Sequence, residues 1–169
     1  MGLYKYDHPP LLAPGRHYMN LQQIEKLCVE GFSGAARASR ERLFYGLEDF
    51  VQRYLVARLP CEIFVDGSFL TEKLQPDDVD VAVSIEFCVS QNLTPQQRIL
   101  IDATNNEDFI GGVDSTAMIR YPRDHPCFRT AADLGNAGEL YGVEHSRQWL
   151  KGYVTLRVGE TDVGHRICR

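Results

Sequence analysis

The chain has 169 residues, a length that suits one compact domain with its own hydrophobic core. Hydrophobic residues make up 44% of it, and the absence of any apolar run long enough for a transmembrane helix excludes a membrane-spanning protein of that kind. The formal net charge of −5 argues against broad, sequence-independent binding to nucleic acid, although it leaves a local basic site open.

The N-terminal residues and the cysteines indicate where the protein works. The first ten residues lack the apolar stretch of a signal peptide. The five cysteines are scattered, odd in number and without a C-x-x-C pair, so we expect reduced thiols in a cytoplasmic protein. Proline-rich turns and tyrosines predict an extended, irregular N-terminal arm over 1–19. We expect a single domain over 1–169.

The remaining elements follow from hydrophobic periodicity and helix caps. Apolar residues at helical spacing, with the capping pair Asn20 and Gln23, predict a helix over 21–30. Further helices are predicted over 35–58, from Pro95 to about Ala103 behind a Thr94 cap with Gln97 at N3, and over 131–134. Runs of β-branched and aromatic residues predict strands over 61–66, 78–85, 113–121 and 153–158. These elements predict an α+β fold, with helices packed on a small mixed β-sheet.

Asp78 and Asp80 carry the strongest chemical signal in the sequence. Because side chains alternate faces along a strand, both aspartates point to one face, and Val79 and Val81 point to the other, into the core. At about 4 Å and an effective dielectric constant near 20, two like charges repel by roughly 4 kcal/mol. A fold that brings two carboxylates together commonly protonates one or binds a cation. All-oxygen ligands suit Mg²⁺, which shares them with substrate phosphates.

A Gly67-Ser68 turn directly follows the predicted strand 61–66. The glycine lets the backbone approach a phosphate closely, and the serine hydroxyl can donate a hydrogen bond to a phosphate oxygen. A helix beginning here would add free N–H groups that favour anions. The turn and the Asp-x-Asp strand together predict a site for a triphosphate and a divalent metal ion. Lys73 lies between the turn and the Asp-x-Asp strand. Two interpretations stay open: the lysine contacts the triphosphate, or it is simply solvated.

Val65-Asp66-Gly67-Ser68 followed by Asp78-Val79-Asp80-Val81 resembles the signature of the polymerase-β-like nucleotidyltransferase superfamily, which includes the minimal nucleotidyltransferases. That signature places an apolar residue, a glycine and a glycine or serine before an Asp-apolar-(Asp or Glu)-apolar strand. More narrowly, the chain is similar to a small bacterial family of uncharacterised nucleotidyltransferase-like proteins. This similarity extends over most of the chain and lies in residues 10–15, 66–73, 76–80 and Lys151-Gly152.

The resemblance implies a nucleotidyltransferase fold and a metal-dependent enzyme. Such an enzyme transfers a nucleoside monophosphate, here expected to be AMP from ATP or the equivalent from another NTP, to a hydroxyl acceptor with Mg²⁺ or Mn²⁺. By position, Asp78 and Asp80 match the paired catalytic metal ligands, and Gly67-Ser68 match the phosphate-binding turn. Asp114, near the start of the next predicted strand, is the candidate for the third catalytic carboxylate and metal ligand.

The acceptor stays open on the sequence: a protein hydroxyl, the 3′ end of an RNA such as tRNA, or a small molecule. The chain is also similar to minimal nucleotidyltransferases that act as antitoxins by adding AMP to a partner toxin, although Ser68-Phe69-Leu70-Thr71-Glu72-Lys73 stands where those favour Ser-x-Ala-Arg-Gly. That similarity implies a toxin–antitoxin or antiviral defence setting. Two alternatives are an inactive nucleotidyltransferase fold that binds nucleotide or a partner protein, and a subunit that completes its site in a homo-oligomer.

Overall fold

A mixed five-stranded sheet forms the centre of the computed structural model, which describes residues 7–106, 109–128 and 150–159. Its strands are β1 (Gly15–Tyr18), β2 (Cys61–Asp66), β3 (Val79–Glu86), β4 (Val113–Arg120) and β5 (Gly152–Val158). They are arranged in the order β1-β5-β2-β3-β4. β1 is parallel to β5 and β3 to β4, whereas β2 is antiparallel to both β5 and β3. A mixed sheet with helices agrees with the predicted α+β class.

The α-helices of the described residues are α1 (Leu21–Glu25), α2 (Gly34–Val56), α3 (Phe87–Ser90) and α4 (Pro95–Thr104), and a π-helical segment, Lys26–Glu30, continues α1. Three of them, α1, α2 and α4, lie near predicted positions, whereas α3 was not predicted. Reciprocal hydrogen bonds form both predicted capping boxes, Asn20 with Gln23 and Thr94 with Gln97. The helix predicted over 131–134 lies outside the described residues. None of the helices in the described part of the chain has the length and apolar character needed to span a membrane.

The segment predicted as an extended, irregular N-terminal arm over 1–19 contains a strand in its described part. β1 pairs with the outer edge of β5, which would otherwise present unpaired N–H and C=O groups. Just before β1, the Leu11 N–H donates to the Leu70 carbonyl at 2.9 Å, and the Glu72 N–H donates to the Pro9 carbonyl at 2.8 Å. Four residues are too few for an alternating pattern, so this strand depends on its partner and not on its own sequence.

One face of the sheet packs against the helices and forms the hydrophobic core. Its β2 and β3 side chains sit at alternate positions: Cys61, Ile63, Val65, Val79, Val81, Val83 and Ile85. The α2 side chains facing them are nearly inaccessible: Leu43, Phe44, Leu47, Phe50, Val51 and Tyr54. Each such burial contributes about 1.5–3 kcal/mol. A shift of the strand pairing by one residue would turn these apolar side chains away from the core. Burial of the core therefore determines the strand register.

The other face of the sheet, here called the polar face, carries different side chains. Phe64, Ala82 and Tyr153 form a small buried cluster at its centre, and Met118 packs beside them. Aspartates lie at one end of this face and arginines at the other. Because the core determines the register, it also determines which of these charged groups become neighbours.

Candidate functional site

Three aspartates lie side by side on the polar face, one on each of three neighbouring strands. Asp66, the last residue of β2, pairs directly with Asp80 of β3, and Asp80 pairs directly with Asp114 of β4. Directly paired residues present their side chains on the same face of a sheet. The register therefore places two of the predicted carboxylates, Asp80 and Asp114, at adjacent positions. It adds Asp66, to which the sequence prediction gave no role.

Asp78, the remaining predicted ligand, lies one residue before β3 and is half-buried. No ladder pairing includes it, so the register does not relate its side chain to the other three. Across residues 7–106, 109–128 and 150–159, no group of three or more His, Cys, Asp or Glu side chains converges closely enough to hold a metal ion. The row of aspartates, that is Asp66, Asp80 and Asp114, thus offers carboxylate oxygens at adjacent positions. Such oxygens are the donors that Mg²⁺ prefers, but the row does not gather three of them around one point.

Gly67 brings the two halves of the motif into contact. Its φ of +82° lies in the left-handed region that favours glycine. An ideal Cβ at this position would lie only 1.6 Å from Asp80 Oδ2 and 2.7 Å from Asp80 Cγ. The Asp80 carboxylate therefore occupies the space in which any other residue would carry its side chain. The glycine that the sequence predicted to admit a phosphate is needed here to admit a carboxylate.

Ser68 begins a single 3₁₀ turn, Ser68–Leu70, directly after this contact. Its carbonyl accepts hydrogen bonds from the Thr71 N–H at 3.2 Å and from the Thr71 hydroxyl at 2.8 Å. The helix that would favour an anion is therefore only one turn long, and its dipole is correspondingly small. The Ser68 side chain is half-buried and follows Asp66, the first aspartate of the row, by two residues along the chain.

Arg40 of α2 fastens the segment that follows the turn, and sequence reasoning missed it. Its guanidinium is fully buried and donates hydrogen bonds to four backbone carbonyls, those of Cys28, Phe69, Thr71 and Lys73. Burial lowers the pKa of Arg40 from its usual value. Hydrogen bonds from a charged donor contribute about 1.5–3 kcal/mol each, so this single side chain can hold the loop between the motif halves in one conformation.

Asp66 and Lys151 form a buried ion pair at the aspartate end of the polar face. Lys151 Nζ lies 3.0 Å from Asp66 Oδ1, and the two side chains are only 8% and 6% exposed. Burial raises the pKa of Asp66 to about 7, and the charge of Asp80 adds to the rise, whereas Lys151 and the Gly67 N–H act in the opposite direction. An aspartate before a glycine looks like an ordinary turn residue in sequence, and only the β2–β5 pairing brings Lys151 to it.

Lys73, the predicted nucleotide contact, forms an ion pair at the surface. Its Nζ lies 2.7 Å from Asp77 Oδ2, and the Asp77 side chain is 82% exposed. The Lys73 side chain itself is 29% exposed, and it belongs to a loop whose backbone Arg40 holds. Its contact to a triphosphate stays a prediction.

Comparison with protein-family models identifies the family. The chain belongs to DUF6932, described as a family of unknown function, whose model matches residues 4–160. Searches of curated proteins and of solved structures find no match. The matched residues include the sheet, the Gly67 turn and the three aspartates.

Proposed function

We propose that this member of DUF6932 has the nucleotidyltransferase fold and is a metal-dependent nucleotidyltransferase. It would transfer a nucleoside monophosphate, AMP in the expected case, from a nucleoside triphosphate to a hydroxyl acceptor. The observation that carries the proposal is the contact between the motif halves: Asp80 lies against Gly67 and is in register with Asp114. The contact supports the proposal because a phosphate-binding turn and metal-binding carboxylates can act on one triphosphate only when they lie side by side.

In the proposed reaction the acceptor oxygen forms a bond to the α-phosphorus, the bond to the bridging oxygen breaks, and pyrophosphate leaves. The hydroxyl proton of the acceptor passes to water. Asp78, Asp80 and Asp114 are the residues that would hold Mg²⁺ or Mn²⁺. When bound, such an ion neutralises charge on the triphosphate and on the leaving pyrophosphate. The Ser68 hydroxyl would donate to a phosphate oxygen, and Lys73 would exchange Asp77 for the triphosphate.

The Asp66–Lys151 pair would set the charge of this site. Three carboxylates in adjacent positions repel one another, and the repulsion grows as water is excluded. Lys151 offsets one of these charges from within the fold, because it lies 3.0 Å from Asp66. In the proposed site an incoming cation would bind at Asp80 and Asp114.

The test is transfer of label from α-³²P nucleoside triphosphates. The protein is incubated with each of them, with Mg²⁺ or Mn²⁺ and with a bacterial lysate, and the protein and RNA fractions are then separated. We expect the wild type to transfer label and Asp80→Asn to lose transfer by orders of magnitude, while both proteins unfold at similar temperatures. Asp49→Asn, which changes an exposed aspartate on the helical side, is the matched control. Equal transfer by wild type and Asp80→Asn would refute the proposal.

Nucleotide binding without transfer would support the second candidate, an inactive nucleotidyltransferase fold that binds nucleotide or a partner protein. The observation that favours it is the buried pair itself, because Lys151 already supplies a cation to one carboxylate of the row. Calorimetric titration with an ATP analogue that cannot be cleaved between the α- and β-phosphates complements the transfer assay: heat of binding, together with no labelled product from ATP itself, supports the second candidate.

A further inference from the structure

Three arginines surround Glu62 at the end of the polar face opposite the aspartates. Arg157 Nε and Arg120 Nη1 each lie 3.3 Å from the Glu62 carboxylate, and Arg16 Nη1 lies at 3.6 Å. Arg120 also pairs with Glu86. Within this group of described residues, three positive charges face two negative ones, in a chain whose formal net charge is −5. The three arginines alone, Arg16, Arg120 and Arg157, are called the arginine cluster.

The arginine cluster is open to solvent and includes an exposed aromatic ring. The side chains of Arg16, Arg120 and Arg157 are 33%, 51% and 41% exposed. Tyr18 is 52% exposed, and the Arg157 guanidinium lies 4.4 Å from its ring centroid. The Tyr18 hydroxyl accepts hydrogen bonds from both Arg16 and Arg157. The ring and the guanidinium planes are thus held in place with part of their surface uncovered.

We infer that the arginine cluster and Tyr18 bind a single-stranded nucleic acid segment. Guanidinium groups pair with phosphate oxygens in a fork geometry, and both guanidinium planes and tyrosine rings stack on bases. A patch of charge alone would suit an acidic peptide equally well. The exposed Tyr18 ring against a guanidinium adds a stacking surface, which a base uses and a carboxylate does not.

The position of the arginine cluster gives the bound strand a role. Glu62 and Asp66 lie four positions apart in β2, which corresponds to about 13 Å at the usual rise per residue. Both ends lie on the same face, and the buried Phe64 side chain lies between them. A nucleic acid strand held by the arginines would therefore have to run past this buried side chain for its 3′ hydroxyl to reach the aspartates. This role as acceptor rests on the proposed function, whereas the binding itself does not.

The binding is tested by fluorescence anisotropy with labelled RNA and DNA oligonucleotides of about 12 nucleotides, within the range of single-strand site sizes. We expect salt-dependent binding by the wild type and at least tenfold weaker binding by the double variant Arg120→Gln/Arg157→Gln. The slope of log K against log salt should fall by about 0.7 for each phosphate that the variant no longer neutralises. Tyr18→Ala should weaken binding about tenfold and leave that slope unchanged.

Arg53→Gln is the matched control. Arg53 is also an exposed, ion-paired arginine beside an aromatic ring, 3.0 Å from Asp49 and 5.1 Å from the Phe109 centroid, but it belongs to α2 on the helical side. We expect its affinity to stay within about twofold of the wild type, since the arginine cluster still neutralises the same phosphates. Should the double variant fail to show the wild-type circular dichroism spectrum, the single exposed change Arg120→Gln replaces it.

Each outcome decides the inference. Equal binding by wild type and the arginine variants overturns it, and so does arginine-dependent binding of a polyglutamate peptide without binding of either oligonucleotide. Comparison of the RNA and DNA arms shows which sugar the surface accepts. Binding is measured without nucleoside triphosphate, so it does not depend on transfer. Arginine-dependent binding without any transfer by the wild type would therefore keep this inference and reject the proposed function alone.

Discussion

The two ends of the polar face use the same chemistry in different surroundings. At the aspartate end, Lys151 and Asp66 pair with almost no solvent exposure, and burial raises the pKa of Asp66 to about 7. At the arginine end, Glu62 is paired with arginines that are one third to one half exposed. Exposed ion pairs contribute about 0–1 kcal/mol, whereas breaking a buried pair costs about 3–5 kcal/mol. The two ends therefore differ in how far water reaches their ion pairs, and not in the distances between the paired atoms.

The sharpest test of this difference is Lys151→Met. It leaves the Asp66 carboxylate buried without its cation, so we expect the free energy of unfolding at pH 8 to fall by about 3–5 kcal/mol. Urea denaturation measures the change. The double variant Lys151→Met/Asp66→Leu removes both charges and should recover most of the loss. A loss below about 1 kcal/mol in the single variant would mean that the aspartate end is as hydrated as the arginine end.

The raised pKa of Asp66 predicts a dependence of stability on pH. Between its usual value of 3.8 and about 7, the folded state binds a proton that the unfolded state does not, so stability falls as the pH rises through this window. A shift of this size corresponds to at most about 4 kcal/mol. The measurement is the difference in unfolding free energy between wild type and Asp66→Asn, followed from pH 4 to pH 8. A difference in unfolding free energy that stays constant from pH 4 to pH 8 would contradict the raised pKa.

Gly67→Ala tests the contact between turn and carboxylate. A Cβ there meets both an unfavourable positive φ and the Asp80 side chain, so we expect a loss of about 2–3 kcal/mol. Gly34→Ala is the matched control, since Gly34 also has a positive φ, of +57°, but nothing lies within 4 Å of the place that a Cβ would occupy. It should cost about 1 kcal/mol. Equal losses in thermal unfolding would show that backbone strain alone explains both.

The smallest expected effect belongs to the Lys73–Asp77 pair. At 2.7 Å it is shorter than the buried Lys151–Asp66 pair, yet Asp77 is 82% exposed. Asp77→Asn should therefore change the free energy of unfolding by less than about 1 kcal/mol. If Lys73 contacts the triphosphate as proposed, the same change should lower the KM for nucleotide, because Lys73 no longer has to leave Asp77. Steady-state kinetics checks this, and a raised KM would contradict the role proposed for Lys73.

Local patterns account for what could be predicted. Sequence reasoning placed β2 at its observed residues because a run of strand-forming residues is bounded by Pro60 and Gly67. Both capping boxes were predicted because a cap requires only residues three apart. Gly67 and Asp80 were identified for the same reason, since the turn and the Asp-x-Asp strand are each short and self-contained. β1 was missed because its four residues carry no such local pattern.

Spacing and periodicity were therefore enough to indicate an α+β domain, most of its helices and strands, and the turn and carboxylates of a candidate site. The fold alone brought Asp66, Asp80 and Asp114 into one row, buried Lys151 beside Asp66, and set the arginine cluster at the far end of the same face. The physical reason is that strand order and register depend on contacts between distant residues, which the burial of the whole core selects together.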